Sequence, residues 1–223
     1  MIEKSTLTFL KDLKKNNSKE WFDENRKRYE AERKKFISFV EKLIGTISKF
    51  DPSVANIDPK SAIFRINRDI RFSNDKTPYK TNFGVSISKG GKRSSYCGYY
   101  LHVEPGSIFA GGGQYAPLPE NLKAVRDEIY FNLPEFEQIL SSKAFKKEFD
   151  GLDEIEKLKT APKGYEKDHA SIPYLVNKHF LVTRSFTDAE VTSPDFMDRL
   201  ESVFKAQKPF VDFINRAIDN QSN

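Results

Sequence analysis

The sequence predicts an α+β fold: an antiparallel β-meander sheet of four or more strands packed against long N-terminal and C-terminal helices. Three observations predict it. Apolar residues recur every three to four positions near both ends of the chain, as on one buried helix face. Between about residues 62 and 104 they alternate with polar residues instead. Turn-forming clusters (Ser73 to Pro78, Gly90-Gly91 and Pro105-Gly106) separate the alternating runs. One apolar and one polar face is the pattern of an antiparallel sheet covered by helices on one side.

The elements follow in order. Residues 5–15 form a short opening helix, broken at Asn16-Asn17-Ser18. Asn17 followed by Glu20 resembles a capping box for the next helix, expected over about 19–49. Its stripe is Phe22, Tyr29, Phe36, Phe39, Val40, Leu43, Ile44 and Ile47, and Asp51-Pro52 ends it. Strands are expected at 62–72, 82–88 and 96–104, with a fourth near 107–110. In the first, Phe64, Ile66, Ile70 and Phe72 share one parity, and Arg65, Asn67, Asp69 and Arg71 the other. Helices are expected at about 119–131 and 134–149, and a further strand near 179–186. Ser193-Pro194-Asp195 then caps a final helix with Pro at its first position, and Pro209 should kink it.

At 223 residues, one domain spanning 1–223 is the simplest organisation. A chain of this length buries enough surface to fold without disulfides or metals. Cys97 is the single cysteine, so no intrachain disulfide can form, which points to a reducing, cytoplasmic location. The first residues lack an apolar signal core, and no run approaches the ~18 apolar residues of a membrane span.

The net charge of +5 is unevenly spread. Residues 60–93 hold nine cations against two anions, a local +7 that leaves −2 for the rest. The densest polar stretch within it is 65–80. Its candidate ligand-binding residues are Arg65, Arg68, Asp69, Arg71, Ser73, Asp75, Lys76, Tyr79 and Lys80. Arginine forks donate paired hydrogen bonds to phosphate or carboxylate, so the cluster suits an anionic or phosphorylated small molecule. It suits equally an Arg–Asp network that only pins a strand and its turn. On an extended strand Asp69 and Arg71 stand about 6.6 Å apart, whereas Arg65 and Arg71 are about 20 Å apart, so gripping one small anion requires a bend. Arg68 has the parity of the apolar face, which demands a carboxylate partner or a bulge.

The run Arg-(x)₂-Arg-Asp-x-Arg-Phe-Ser-x-Asp-Lys-Thr-Pro-Tyr-Lys at 65–80 resembles the signature of a bacterial and fungal family catalogued as domain of unknown function 2461. Similar stretches are Phe9-Leu10 with Asn16 to Phe22, Gly98-Tyr99-Tyr100-Leu101-His102, and Pro162-Lys163-Gly164-Tyr165 with Asp168-His169. The resemblance covers about 5–217 and implies a single-domain family. It carries over no activity and no catalytic residue.

Outside 65–80, Tyr100, His102 and Glu104 share a strand face, by parity the polar one. A histidine beside carboxylates serves as general base or metal ligand, or is simply a hydrogen-bonded surface histidine. Gly112, within Gly111-Gly112-Gly113, is a candidate for presenting backbone N–H groups to an anion. The glycines fit a tight bend at a strand end as well. Cys97 has core parity. No nucleotide-binding glycine motif, metal-ligand spacing or nucleophile elbow occurs, so no cofactor, metal or catalytic residue is assigned. A nucleic-acid-associated role is the second partner class, resting on Lys89, Lys92, Arg93, Tyr96 and Tyr100. A structural or interaction protein is the third reading. No membrane partner is expected, and nothing fixes the oligomeric state.

Overall fold

A computed structural model describes residues 1–221. Helices α1 (Lys4–Lys15), α2 (Lys19–Glu24), α3 (Arg26–Ile47) and α4 (Pro59–Ala62) come first. Strands β1 (Phe83–Ser88), β2 (Gly98–Val103) and β3 (Ile108–Gln114) follow. Then come α5 (Pro119–Phe131), α6 (Leu133–Ser141), α7 (Lys143–Glu148), α8 (Ile172–Leu175), β4 (Phe180–Phe186), α9 (Asp188–Val191) and α10 (Phe196–Gln221). The strands form one antiparallel sheet in the order β1-β2-β3-β4, so the fold is α+β. No helix among the described residues is long and apolar enough to cross a membrane.

Several expected elements change. The long helix at 19–49 is two helices, parted at Asn25. At Asn25 the backbone leaves helical geometry (φ −99°, ψ 12°), and the Asn25 side-chain amide shares the Trp21 carbonyl with the residue's own backbone N–H. Ser18, not Asn17, caps α2, its hydroxyl accepting the Trp21 N–H at 3.2 Å. The helix at 134–149 is split by Ser142, which caps α7 through Phe145 N–H. Helix α10 begins at Phe196, two residues past Pro194, with Pro209 inside it.

The strand expected at 62–72 does not form. Only Ile63–Val85 and Asn67–Tyr79 pair, as isolated bridges. Arg68 N–H donates to Pro78 O and Lys80 N–H to Ile66 O, so 66–80 folds back on itself. Pro78 has no N–H to return, and the ladder stops beside it. The fourth strand of the sheet is β4, the segment expected near 179–186.

By compactness the chain divides into two units. Unit 1 comprises Met1–Ile87, Tyr100–Ala110 and Ser185–Glu201; unit 2 comprises Ser88–Tyr99, Gly111–Arg184 and Ser202–Asn223. In unit 1 the α3 stripe is buried as expected, apart from half-exposed Tyr29. Phe36 meets Phe83 of β1 at 5.1 Å, and Phe39 stacks on Phe196 at 6.0 Å. Phe22 stacks on Tyr79 with centroids 3.9 Å apart. Glu32, buried between α1 and α3, accepts from Ser5, Thr6 and Lys35. In unit 2, Tyr99 of β2 packs edge-on against Phe204 of α10, and Phe136 meets Phe213 at 5.1 Å. Glu148 is buried against Arg184 and accepts from Ser202 at 2.7 Å.

Candidate functional site

The site lies in unit 1, where the folded-back segment 66–80 meets the end of α1. Arg68 organises the loop. Its Nη1 donates to Asp75, to the Thr77 hydroxyl and, at 3.3 Å, to the Thr77 carbonyl; its Nη2 reaches Ser73 Oγ at 3.4 Å. Asp75 also accepts the Thr77 N–H at 2.9 Å. That N–H, with Arg68 and the Thr77 hydroxyl, pulls the Asp75 carboxyl down to about 2. Arg71 forks onto Asp69 with bonds of 2.9 and 2.7 Å, which holds Asp69 below its ordinary range. Lys76 Nζ donates to the Ile70 carbonyl. Arg68, Arg71 and Lys76 are therefore engaged within the loop. Arg65 is exposed, and Lys80 Nζ stands 5.3 Å over the Phe64 ring.

Beside this loop is an open cleft of about 400 Å³, lined by Lys14, Asn17, Arg68, Asp75, Thr77, Tyr79, Lys80, Thr81 and Asn82. Asn17 fixes one wall. Its amide donates to Tyr79 O at 2.9 Å while its Oδ1 accepts Tyr79 N–H at 3.1 Å, copying one rung of a β-ladder. The cleft walls continue into a polar cluster on β2. Lys14 and Thr81 both donate to Glu104 Oε1, at 3.0 and 2.8 Å. The other Glu104 oxygen lies 3.6 Å from His102 Nε2. His102 stacks on Phe109 at 4.8 Å, and its Nδ1 faces the Tyr100 hydroxyl at 3.2 Å and the Asn82 amide at 3.4 Å. With donors at Nδ1, the imidazole proton belongs on Nε2, towards Glu104.

Electrostatics follow from burial and partners. Burial lowers the His102 imidazole, only partly opposed by Glu104. Burial works against the Glu104 charge, but bonds from Lys14 and Thr81 outweigh it and keep the carboxyl low. Burial raises the Tyr100 hydroxyl. Gly84 leaves room for that hydroxyl: a Cβ there would lie 2.9 Å from it.

The family model described as Conserved hypothetical protein (DUF2461) matches residues 5–213. The chain belongs to this family. No curated protein and no solved structure matches it.

In this DUF2461 member, the folded segment gathers Arg68, Asp69, Arg71, Ser73, Asp75 and Lys76 into one loop. Arg68, Asp75, Tyr79 and Lys80 border the cleft, and Tyr100 and His102 form the cluster behind Thr81 and Asn82. Gly112 belongs to unit 2, within β3. Its φ is +147°, and an added Cβ would fall 2.2 Å from Gly98 O and 2.9 Å from Gln207 Nε2, so close backbone packing accounts for this glycine. Of the basic hairpin, Lys89 and Tyr96 both bond Asp219, and Lys89 sits over the Tyr96 ring at 4.3 Å. Cys97 is buried, which raises its thiol far above the ordinary value. Among the described residues no three His, Cys, Asp or Glu side chains gather as metal ligands. Lys14, Asn17, Thr81 and Asn82 escape sequence reasoning. Their only signal is that they flank elements, and long-range pairing decides what they face.

Proposed function

We propose that unit 1 binds a small anionic ligand, phosphate-bearing in the fullest fit, in the cleft beside the 66–80 loop. One observation carries this reading: Lys14, Arg68 and Lys80 converge on a single hollow, and these three cations meet two carboxylates, Asp75 of the lining, held by Arg68 and Thr77, and Glu104 behind Thr81, which holds Lys14. The side chains of Asn17, Thr77, Thr81 and Asn82 add neutral hydrogen-bonding groups around the same space. The internally paired Arg68 supports the reading too, because a fixed guanidinium on a stapled loop is preorganised and loses little freedom on binding. A reducing, cytoplasmic setting, inferred from the lone buried cysteine, accords with this reading and belongs to the same proposal.

A thermal-shift titration with inorganic phosphate, sulfate and sugar phosphates in low salt tests it. A ligand at a hundred times its Kd stabilises by about 2.7 kcal/mol, roughly 5–10 °C for a chain of this size. The shift is expected to vanish in a Lys14→Ala, Lys80→Ala double variant. No shift with any anion at low salt, or an equal shift in the double variant, overturns the proposal.

A further inference from the structure

Phe72 stands out among the unused residues. It is 96% exposed, on a loop that Arg68, Asp75 and Thr77 hold closed. The Arg71 guanidinium lies 5.8 Å from its ring centroid, and that guanidinium is in turn fixed by the Asp69 fork. A scattered exposed apolar side chain needs no explanation. This one differs in three ways: its backbone is stapled, a cation is placed at its ring, and its neighbour Ser73 is hydrogen-bonded to Arg68, a wall of the cleft. An aromatic ring beside cations that can meet phosphate is the combination by which proteins hold single-stranded bases.

We infer that the ligand of the cleft is a nucleotide phosphate, free or within a single strand, whose base stacks on Phe72. This rests on the anion-binding reading of the same cleft and names its ligand class. The phosphate meets Lys14, Lys80 and Arg68, the cations lining the cleft. The base lies against the Phe72 ring, with the Arg71 guanidinium beside it. Stacking of this kind tolerates any base, since every base has a π-face.

The test compares equilibrium binding of AMP, a short oligothymidylate, ribose 5-phosphate and inorganic phosphate to the full chain at low salt. AMP or the oligonucleotide is expected to bind roughly 5- to 150-fold more tightly than ribose 5-phosphate, the span set by stacking one base. Phe72→Ala should erase that ratio while leaving ribose 5-phosphate binding and the melting temperature unchanged, and Phe72→Trp should restore it. Tight AMP binding assigns a mononucleotide; oligonucleotide binding without AMP binding assigns a single strand. If base-bearing and base-free phosphates bind alike, or Phe72→Ala preserves their ratio, the stacking inference falls and the anion cleft stands. If no phosphate compound binds, both fall.

Discussion

At the scale of single residues, polar side chains stand in for missing backbone partners. Asn17 supplies a ladder rung to Tyr79, and Asn215 does the same for Cys97, accepting its N–H at 2.8 Å and donating to its carbonyl at 3.1 Å. Arg68 is the extreme case, bonding three positions of one loop. Arg68→Ala is therefore expected to open residues 69–77 selectively. Amide exchange at Thr77 should accelerate strongly, while the amides of β1 and β2 keep their protection; uniform protection loss, or none, would contradict the staple. His102 makes a second prediction. Burial lowers its folded-state pKa, so its contribution to stability is complete above the ordinary value of 6.5 and is lost as pH falls through the lowered value. The charged group facing it is Glu104, with Lys14 beyond; Tyr100, Asn82 and Phe109 are its neutral neighbours. Urea midpoints of His102→Gln should fall less steeply than wild type just below pH 6.5. The Glu104 contribution enters only further down, below 4.5. Parallel curves would remove His102 from the account. These pairings were partly legible. Parity put Tyr100, His102 and Glu104 on one polar face, and the strand parity of Arg68 asked for a carboxylate partner or a bulge; Arg68 does pair with Asp75, but within a loop and not on a strand. Parity also counted Phe72 as core, because it assumed a strand that Pro78 prevents.

At the scale of elements, helix faces were the most readable feature. The three-to-four spacing of the α3 and α10 stripes follows from packing, and packing decides burial: Phe36, Val40, Leu43, Phe204, Phe210 and Ile214 are all buried. Element ends were less readable, because one side-chain bond decides them. Asn25 and Ser142 break helices whose apolar period continues past them. Segment 62–72 has strand periodicity and no strand: Pro78 has no N–H to continue the pairing beside Arg68, and beyond it side chains take backbone groups, Asp69 accepting Arg71 N–H and Lys76 donating to Ile70 O. The glycines of β3 show the reverse case. They read as a bend or an anion cradle, yet they lie within a strand where neighbouring carbonyls leave no space for a side chain. Gly112→Ala, at φ +147° with Gly98 O 2.2 Å from the new carbon, should cost about 1–3 kcal/mol or more from overpacking alone. Gly91→Ala, at a positive φ with open space around it, should cost less, since only the backbone conformation opposes it. Denaturant unfolding of the two variants decides the order.

For the whole molecule, the chain passes between its compact units at Ile87–Ser88, Tyr99–Tyr100, Ala110–Gly111, Arg184–Ser185 and Glu201–Ser202. Each of these bonds lies inside a regular element: β1, β2, β3, β4 and α10 in turn. Independent domains are joined instead by exposed linkers that few contacts cross. A division running through hydrogen-bonded strands and a helix leaves no linker at which one unit could melt alone. We therefore propose that 1–223 behaves as one cooperative domain, and calorimetry should record a single transition whose van't Hoff enthalpy equals the calorimetric enthalpy. Circular dichroism in the far and near ultraviolet should report the same midpoint. Ligand binding sharpens the test. A phosphate compound occupying the unit 1 cleft should raise the midpoint of the entire transition, including signals from Tyr99 and Phe204 in unit 2. Two resolved transitions, with only one moved by the ligand, would establish separate domains and confine the site's influence to its own unit.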